Sequence, residues 1–157
     1  MNLRLPFLVL SIFLCFSFIG CDQNEYGDWK KEGEAFLEAN KSDPDVIVTK
    51  TGLQYKILVN SQSQERPQSV NSVKVNFTAS FTNGTVFDSG TNTVFAVSDL
   101  IPGFQEAILK MKLGSKWKLF IPYSLAYGST GTKKSNDEYI VPPYSAIIYE
   151  VELVQIY

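Results

Sequence analysis

Apolar and polar positions keep a period of two over most of this chain from Val46 onward, with one stretch that switches to a helical period. The segment VIVTKTGLQYKILV (46–59) predicts two strands divided at Thr51-Gly52. After the polar loop 60–71, VKVNFTASF places Val73, Val75, Phe77 and Ala79 opposite Lys74, Asn76 and Thr78, one face buried and one wet. Asn83-Gly84 follows as a hairpin turn, since both residues tolerate positive φ, and TVFDSG starts the returning arm. In DLIPGFQEAILKMK (99–112), Phe104, Ala107, Ile108 and Met111 lie three or four apart, which predicts a helix after Pro102 that stops near Gly114. SKWKLFIP alternates Trp117, Leu119 and Ile121. A long excursion, 123–144, then precedes the last strand, SAIIYEVELVQIY. Many strands and one central helix predict an α+β domain, with a bent antiparallel sheet around the helix.

The chain upstream of Val46 reads differently. MNLR carries Arg4, and LPFLVLSIFLCFSFIG then runs without charge for about sixteen residues, short of the ~20 a membrane span needs. Residues 1–20 read as an export signal, with an N-terminal membrane anchor as the alternative. Gly20-Cys21 closing this run resembles the bacterial lipoprotein cleavage box, although Phe18 stands where leucine is common. That resemblance makes Cys21 the lipidated first residue of a mature chain, held to a membrane by its acyl chains at roughly 0.8 kcal/mol per buried CH₂. Cleavage removes Cys15, so the mature chain has no cysteine pair. Residues 21–45 form a tether and a short helix (29–40) with Asp28 as its cap, weakened by Gly33, and 46–157 form the globular domain. The helix is too short for a stable dimer of its own, so a monomer is expected.

Charge and residue inventory then narrow the chemistry. The 157 residues carry 14 Lys plus Arg against 16 Asp plus Glu, without the concentrated basic face that nucleic acid requires. There is no histidine, which removes the usual base near neutral pH, the commonest metal ligand, and every Ser-His or Cys-His arrangement. No phosphate-cradling glycine motif, HExxH or calcium loop occurs, so no cofactor or metal is expected. What stands out is a set of aromatics near loops: Phe77, Phe87, Phe95, Phe104, Tyr127 and Tyr149, with Leu100, Ile101 and Val141. By composition alone Phe77, Phe87 and Phe95 read as core of an alternating sheet, and Tyr127 as a turn tyrosine bonding to backbone.

The order of motifs resembles the FK506-binding protein family of peptidyl-prolyl cis-trans isomerases, over roughly residues 46–157. The segments that carry it are TGLQYKIL, VKVNFTASFTNGTVFDS, LIPGF, EAILKMKLGSKWKLFIP, LAYGSTG and IVPPYSAIIYEVELVQI. More narrowly the chain is similar to exported bacterial members related to macrophage infectivity potentiators. The resemblance implies about five strands wrapped around one short helix. It implies a pocket whose acting residues are Phe87, Asp88, Phe104 and Tyr127, walled by Phe77, Leu100, Ile101, Val141 and Tyr149. Phe104 becomes the floor under a proline ring, and the Tyr127 hydroxyl turns toward a substrate carbonyl. Phe95 aligns with a core ring.

The implied activity is rotation about Xaa-Pro bonds in exported, partly folded polypeptides, which assists their folding. This chemistry needs no proton acceptor. The barrier is lost amide resonance, roughly 18–20 kcal/mol for a peptide bond, and a dry pocket favours the less polar twisted amide. Four departures from the family pattern predict reduced turnover and weak macrolide binding: Phe77 for tyrosine, Phe104 for tryptophan, no arginine after FDS, and Thr93 in place of a pocket-side ring. They leave Asp88, expected to be partly buried, in need of backbone N–H groups or water. The polar loop 132–138 is expected either to overhang the pocket or to be a solvated insertion. The competing reading is a non-catalytic peptide-binding or chaperone module on the same fold.

Overall fold

The computed structural model describes residues 26–157. The expected signal segment 1–20 and Cys21 lie outside the described residues. Among the described residues no helix is long and apolar enough to cross a membrane.

The strands are β1 (Ile47–Val48), β2 (Gln54–Val59), β3 (Ser72–Phe81), β4 (Val86–Ala96), β5 (Lys116–Ile121), β6 (Thr132–Lys133), β7 (Tyr139–Val141) and β8 (Ile147–Ile156). The helices are α1 (Gly27–Asn40) and α2 (Pro102–Ile108). Six strands form one antiparallel sheet in the order β1-β2-β5-β8-β3-β4, one more than the five expected. The sixth is the two-residue β1, which pairs Ile47 with Tyr55 at the sheet edge. The excursion 132–141 is a small separate hairpin, β6 with β7, rather than a bare loop.

The period of two found its purpose in the inner sheet face. Val73, Val75, Ala79, Leu119, Val151 and Leu153 are fully buried against α2, which contributes Phe104, Ala107 and Ile108. The helix ends at Ile108, earlier than its apolar pattern suggested; Met111 is nonetheless fully buried, in the turn that follows. Burying the five valine and leucine side chains among these stabilises the fold by about 1.5–3 kcal/mol each, before the entropy of ordering them is subtracted.

The outer face is also covered, by α1. Phe36 meets Phe120 with ring centroids 5.9 Å apart, and Trp29 sets its edge on Phe81 at 5.1 Å. Buried Gln54 donates to the Leu37 carbonyl and accepts from Asn40, both at 2.8 Å. Gly33 is the contact point rather than a weak spot, since a Cβ there would lie 2.9 Å from Cβ of Ala146. Asp28 does not cap α1; Tyr26 holds the N-cap position, and Asp28 lies in the first turn, where its charge suits the helix dipole.

The β3–β4 hairpin turns differently from expectation. Phe81 N–H donates to Thr85 O and Gly84 N–H to Phe81 O, both at 2.9 Å, which closes a three-residue loop. Only Gly84 takes positive φ (+87°), and the Asn83 side chain accepts from Thr85 N–H at 2.9 Å. Asn83 therefore works as a side-chain brace, not as a second left-handed residue.

Candidate functional site

A cleft of about 220 Å³ opens at the N-terminal end of α2, between that helix, the inner sheet face and the loop after β5. Its aromatic walls are Phe77, Phe95, Phe104 and Tyr149. Leu100, Ile101 and Tyr127 complete the apolar lining, and Asp88 and Asp99 supply carboxylates.

Each side chain has a local reason for its place. Phe77 and Tyr149 come from β3 and β8, which pair in register with Phe77 opposite Val151 and Ala79 opposite Tyr149. Pro102 sits in the first turn of α2, where its missing N–H costs nothing, so the helix begins directly after Leu100 and Ile101. Gly103 lets this turn press on β5: a Cβ there would lie 2.4 Å from Ile121 Cγ2. That approach lowers Phe104, 3% exposed, onto the sheet, where its ring lies 5.1 Å from Tyr149. Gln105 Nε2 donates to Val97 O at 3.0 Å and fastens the helix to the turn before it.

Tyr127 arrives on the loop after β5. Gly128 N–H donates to Tyr123 O, Gly131 N–H to Tyr127 O and Tyr144 N–H to Gly128 O, at 2.9, 3.1 and 2.9 Å. Lys30 of α1 lies 5.8 and 5.7 Å from the rings of Tyr123 and Tyr144, so the N-terminal helix also grips this loop.

The electrostatics are those of a neutral floor and an acidic rim. Burial, then the neighbouring Tyr127 hydroxyl and the Asp88 carboxylate, push the Tyr149 hydroxyl well above its ordinary value near 10.0. The Tyr149 hydroxyl thus stays neutral at ordinary pH. Asp88 is exposed, contrary to the buried carboxylate expected, and its Oδ1 accepts from Ser89 N–H at 2.8 Å. Its exposure leaves the remaining acceptor positions open to solvent, without the tyrosine hydroxyl or arginine of the family pattern. Asp99 Oδ1 accepts from Ser98 Oγ at 3.0 Å.

The described residues contain no group of three or more His, Cys, Asp or Glu able to hold a metal. What the arrangement offers is a shaped apolar hollow with hydroxyl and backbone contacts, and no nucleophile beside a base.

A family model described as FKBP-type peptidyl-prolyl cis-trans isomerase matches residues 63–154. The chain belongs to this family. A second model, a domain amino-terminal to such isomerases, matches residues 21–57. The FKBP-type 22 kDa peptidyl-prolyl cis-trans isomerase of Escherichia coli is 40% identical over 129 residues, covering 80% of this chain and 60% of that protein. The outer membrane protein MIP of Legionella longbeachae is 37% identical over 131 residues, covering 81% of this chain and 54% of that protein. The chain thus spans little more than half the length of these relatives. Among solved structures, FkpA from Escherichia coli superposes with a TM-score of 0.77 at 29% identity, covering 85% of this chain and 62% of that one. A peptidyl-prolyl isomerase from Pseudomonas syringae gives 0.75 at 25% identity, covering 83% of this chain and 95% of that one.

Within this FKBP-type cleft the structure gathers Phe77, Asp88, Leu100, Ile101, Phe104, Tyr127 and Tyr149. Two of the residues implied by resemblance are not in its lining. Phe87 packs on Phe81 at 4.8 Å and turns its edge toward Tyr149 at 6.5 Å, and Val141 is 1% exposed in the core. Phe95, expected as core, lies in the cleft wall 5.8 Å from Phe77. Asp99 was missed, although its place directly before LIPGF was the available signal. Thr93 does not line the cleft, and neither does any residue of 132–138.

Proposed function

We propose that this chain catalyses cis–trans isomerisation of Xaa-Pro bonds in exported polypeptides. The observation that carries the reading is the aromatic cleft beside the start of α2, with Phe104 as its floor and the hydroxyls of Tyr127 and Tyr149 within it. The X-Pro bond is nearly balanced between isomers and exchanges in tens to hundreds of seconds unaided. Twisting its amide reduces charge separation, so a water-poor aromatic hollow favours the twisted state over either planar form. Phe77, Phe95 and Tyr149 wall the ring, the Tyr127 hydroxyl donates to the carbonyl before or after proline, and Phe87 supports Tyr149 from behind. No proton changes hands.

At about 220 Å³ the cleft is smaller than the ~300–1,000 Å³ sites that enclose drug-sized ligands. It suits one proline ring, which favours weak macrolide binding. Lipidation of Cys21 would place the domain on a bacterial envelope membrane, facing the clients a secreted isomerase meets. The lipoprotein-like Gly20-Cys21 boundary supports this location. Mass spectrometry of the N-terminal peptide tests it, and an unmodified Cys21 still joined to Gly20 contradicts it.

The activity is tested by magnetisation-exchange NMR on a short Ala-Leu-Pro-Phe peptide. Exchange above the uncatalysed rate at catalytic protein concentration supports the enzyme. Peptide binding with exchange left at the uncatalysed rate replaces it with the chaperone reading.

A further inference from the structure

At the opposite end of α2 lies a larger cavity, of about 480 Å³, that the isomerase reading does not use. We propose that it is a binding site for a small anion carrying a flat apolar body, such as an aromatic carboxylate. Its wall is built on β2 and β5, where Ile57 pairs with Trp117 and Tyr55 with Leu119. Tyr55 stacks on Trp117 with centroids 4.3 Å apart and planes 9° from parallel. Ile57 and Leu109 extend this wall.

The polar side is cationic. Arg66, Lys110 and Lys112 line the cavity, and no carboxylate does. Arg66 is fixed in place by donating Nη1–H to the Lys110 carbonyl at the exit of α2. Lys110 makes only a loose pairing with Glu106, at 3.9 Å, and Lys112 makes no ion pair with any described residue. Three cations around one hollow repel each other unless an anion joins them. The Trp117 indole N–H adds a directed donor. It makes no hydrogen bond to a described residue, and no described side-chain polar atom is both sealed from solvent and unpaired, so this N–H reaches solvent on a residue that lines the cavity. The Asn60 amide is likewise unengaged at the mouth.

The volume lies within the range of sites that enclose whole small molecules. The stacked rings suit a planar body, and the cations with the indole N–H suit its carboxylate.

The probes are 2-naphthoate and its neutral isostere 2-naphthamide, titrated into the protein and followed by ¹H–¹⁵N NMR. The chain has two tryptophans, and Trp29→Phe assigns the indole signals. Naphthoate should shift the Trp117 indole N–H and the Lys110–Lys112 amides at least ten-fold more tightly than naphthamide. Lys110→Gln with Lys112→Gln should weaken naphthoate about ten-fold, leave naphthamide unchanged and leave prolyl isomerisation unchanged. Tyr127→Phe, in the other cleft, should not alter naphthoate binding. Equal affinity for the two probes, shifts confined to the α2 N-terminal cleft, or no shifts at millimolar naphthoate overturns the proposal. None of these outcomes depends on whether the chain isomerises proline.

Discussion

Replacing Tyr127 by phenylalanine removes one hydroxyl from the cleft and leaves the ring. Tyr127 lines the cleft, and its hydroxyl neighbours that of Tyr149, which is 5% exposed. Loss of the hydroxyl does not seal Tyr149 away unpaired, because the cleft admits water. Stability should therefore change by less than about 1 kcal/mol, the scale of one neutral hydrogen bond. For catalysis, the hydroxyl matters only if it bonds the twisted amide more strongly than the planar one. A neutral hydrogen bond nets about 0.5–1.5 kcal/mol, which at 1.36 kcal/mol per decade is a loss of about 2- to 13-fold in kcat/KM. The assay is prolyl exchange in the Leu-Pro peptide, alongside urea unfolding of both proteins. A rate within 1.5-fold of wild type, or a stability loss well above about 1 kcal/mol, refutes the assigned role.

Four further outcomes follow from the same structure. With no histidine in the chain and the Tyr149 hydroxyl held neutral, kcat/KM should be flat between about pH 6 and pH 9. Stability should fall above about pH 10: the unfolded tyrosine releases its proton while the folded one keeps it, so each further pH unit costs about 1.4 kcal/mol. Thermal unfolding across this range checks the slope, and rising stability contradicts it. The carboxylates of Asp88 and Asp99 at the cleft rim should favour Lys or Arg beside the proline, about 2- to 5-fold over Glu at low salt, with the preference fading at 0.5 M salt as screening shortens to a few ångströms. Gly33→Val should detach α1, because its side chain would enter Ala146; proteolysis near residue 40 should accelerate while 46–157 stays folded.

The sheet was legible because alternation is a direct imprint of a two-faced element, as in Val73, Val75, Phe77 and Ala79. The site was legible only through motif order, since a buried phenylalanine looks the same in a core and in a cleft wall. Phe95 shows the difficulty: one bulge in β4, where the pairing register shifts between Val75 and Phe77, decides what a ring in that strand meets. Phe87 and Val141 differ in the other direction: Phe87 is half-buried against Phe81 and Val141 lies in the core, and neither is in the lining of the cleft. Asp88 was misjudged because its place in the family's pocket pattern suggested partial burial, whereas the hairpin exit leaves the carboxylate exposed. The contact of Gly33 with Ala146 joins residues far apart in the chain, and no local pattern announces it. The cavity under Tyr55 and Trp117 escaped for the same reason, as its cations come from the 60–71 loop and from the exit of α2.

The central claim is that the small aromatic cleft holds a proline while its amide rotates. Intermolecular NOEs, recorded on a Leu-Pro peptide undergoing catalysed exchange, test it most directly. The account predicts contacts from the proline ring protons to Phe104, Phe77 and Tyr149. Catalysed exchange with those contacts absent, or with the proline found against Tyr55 and Trp117, would contradict it.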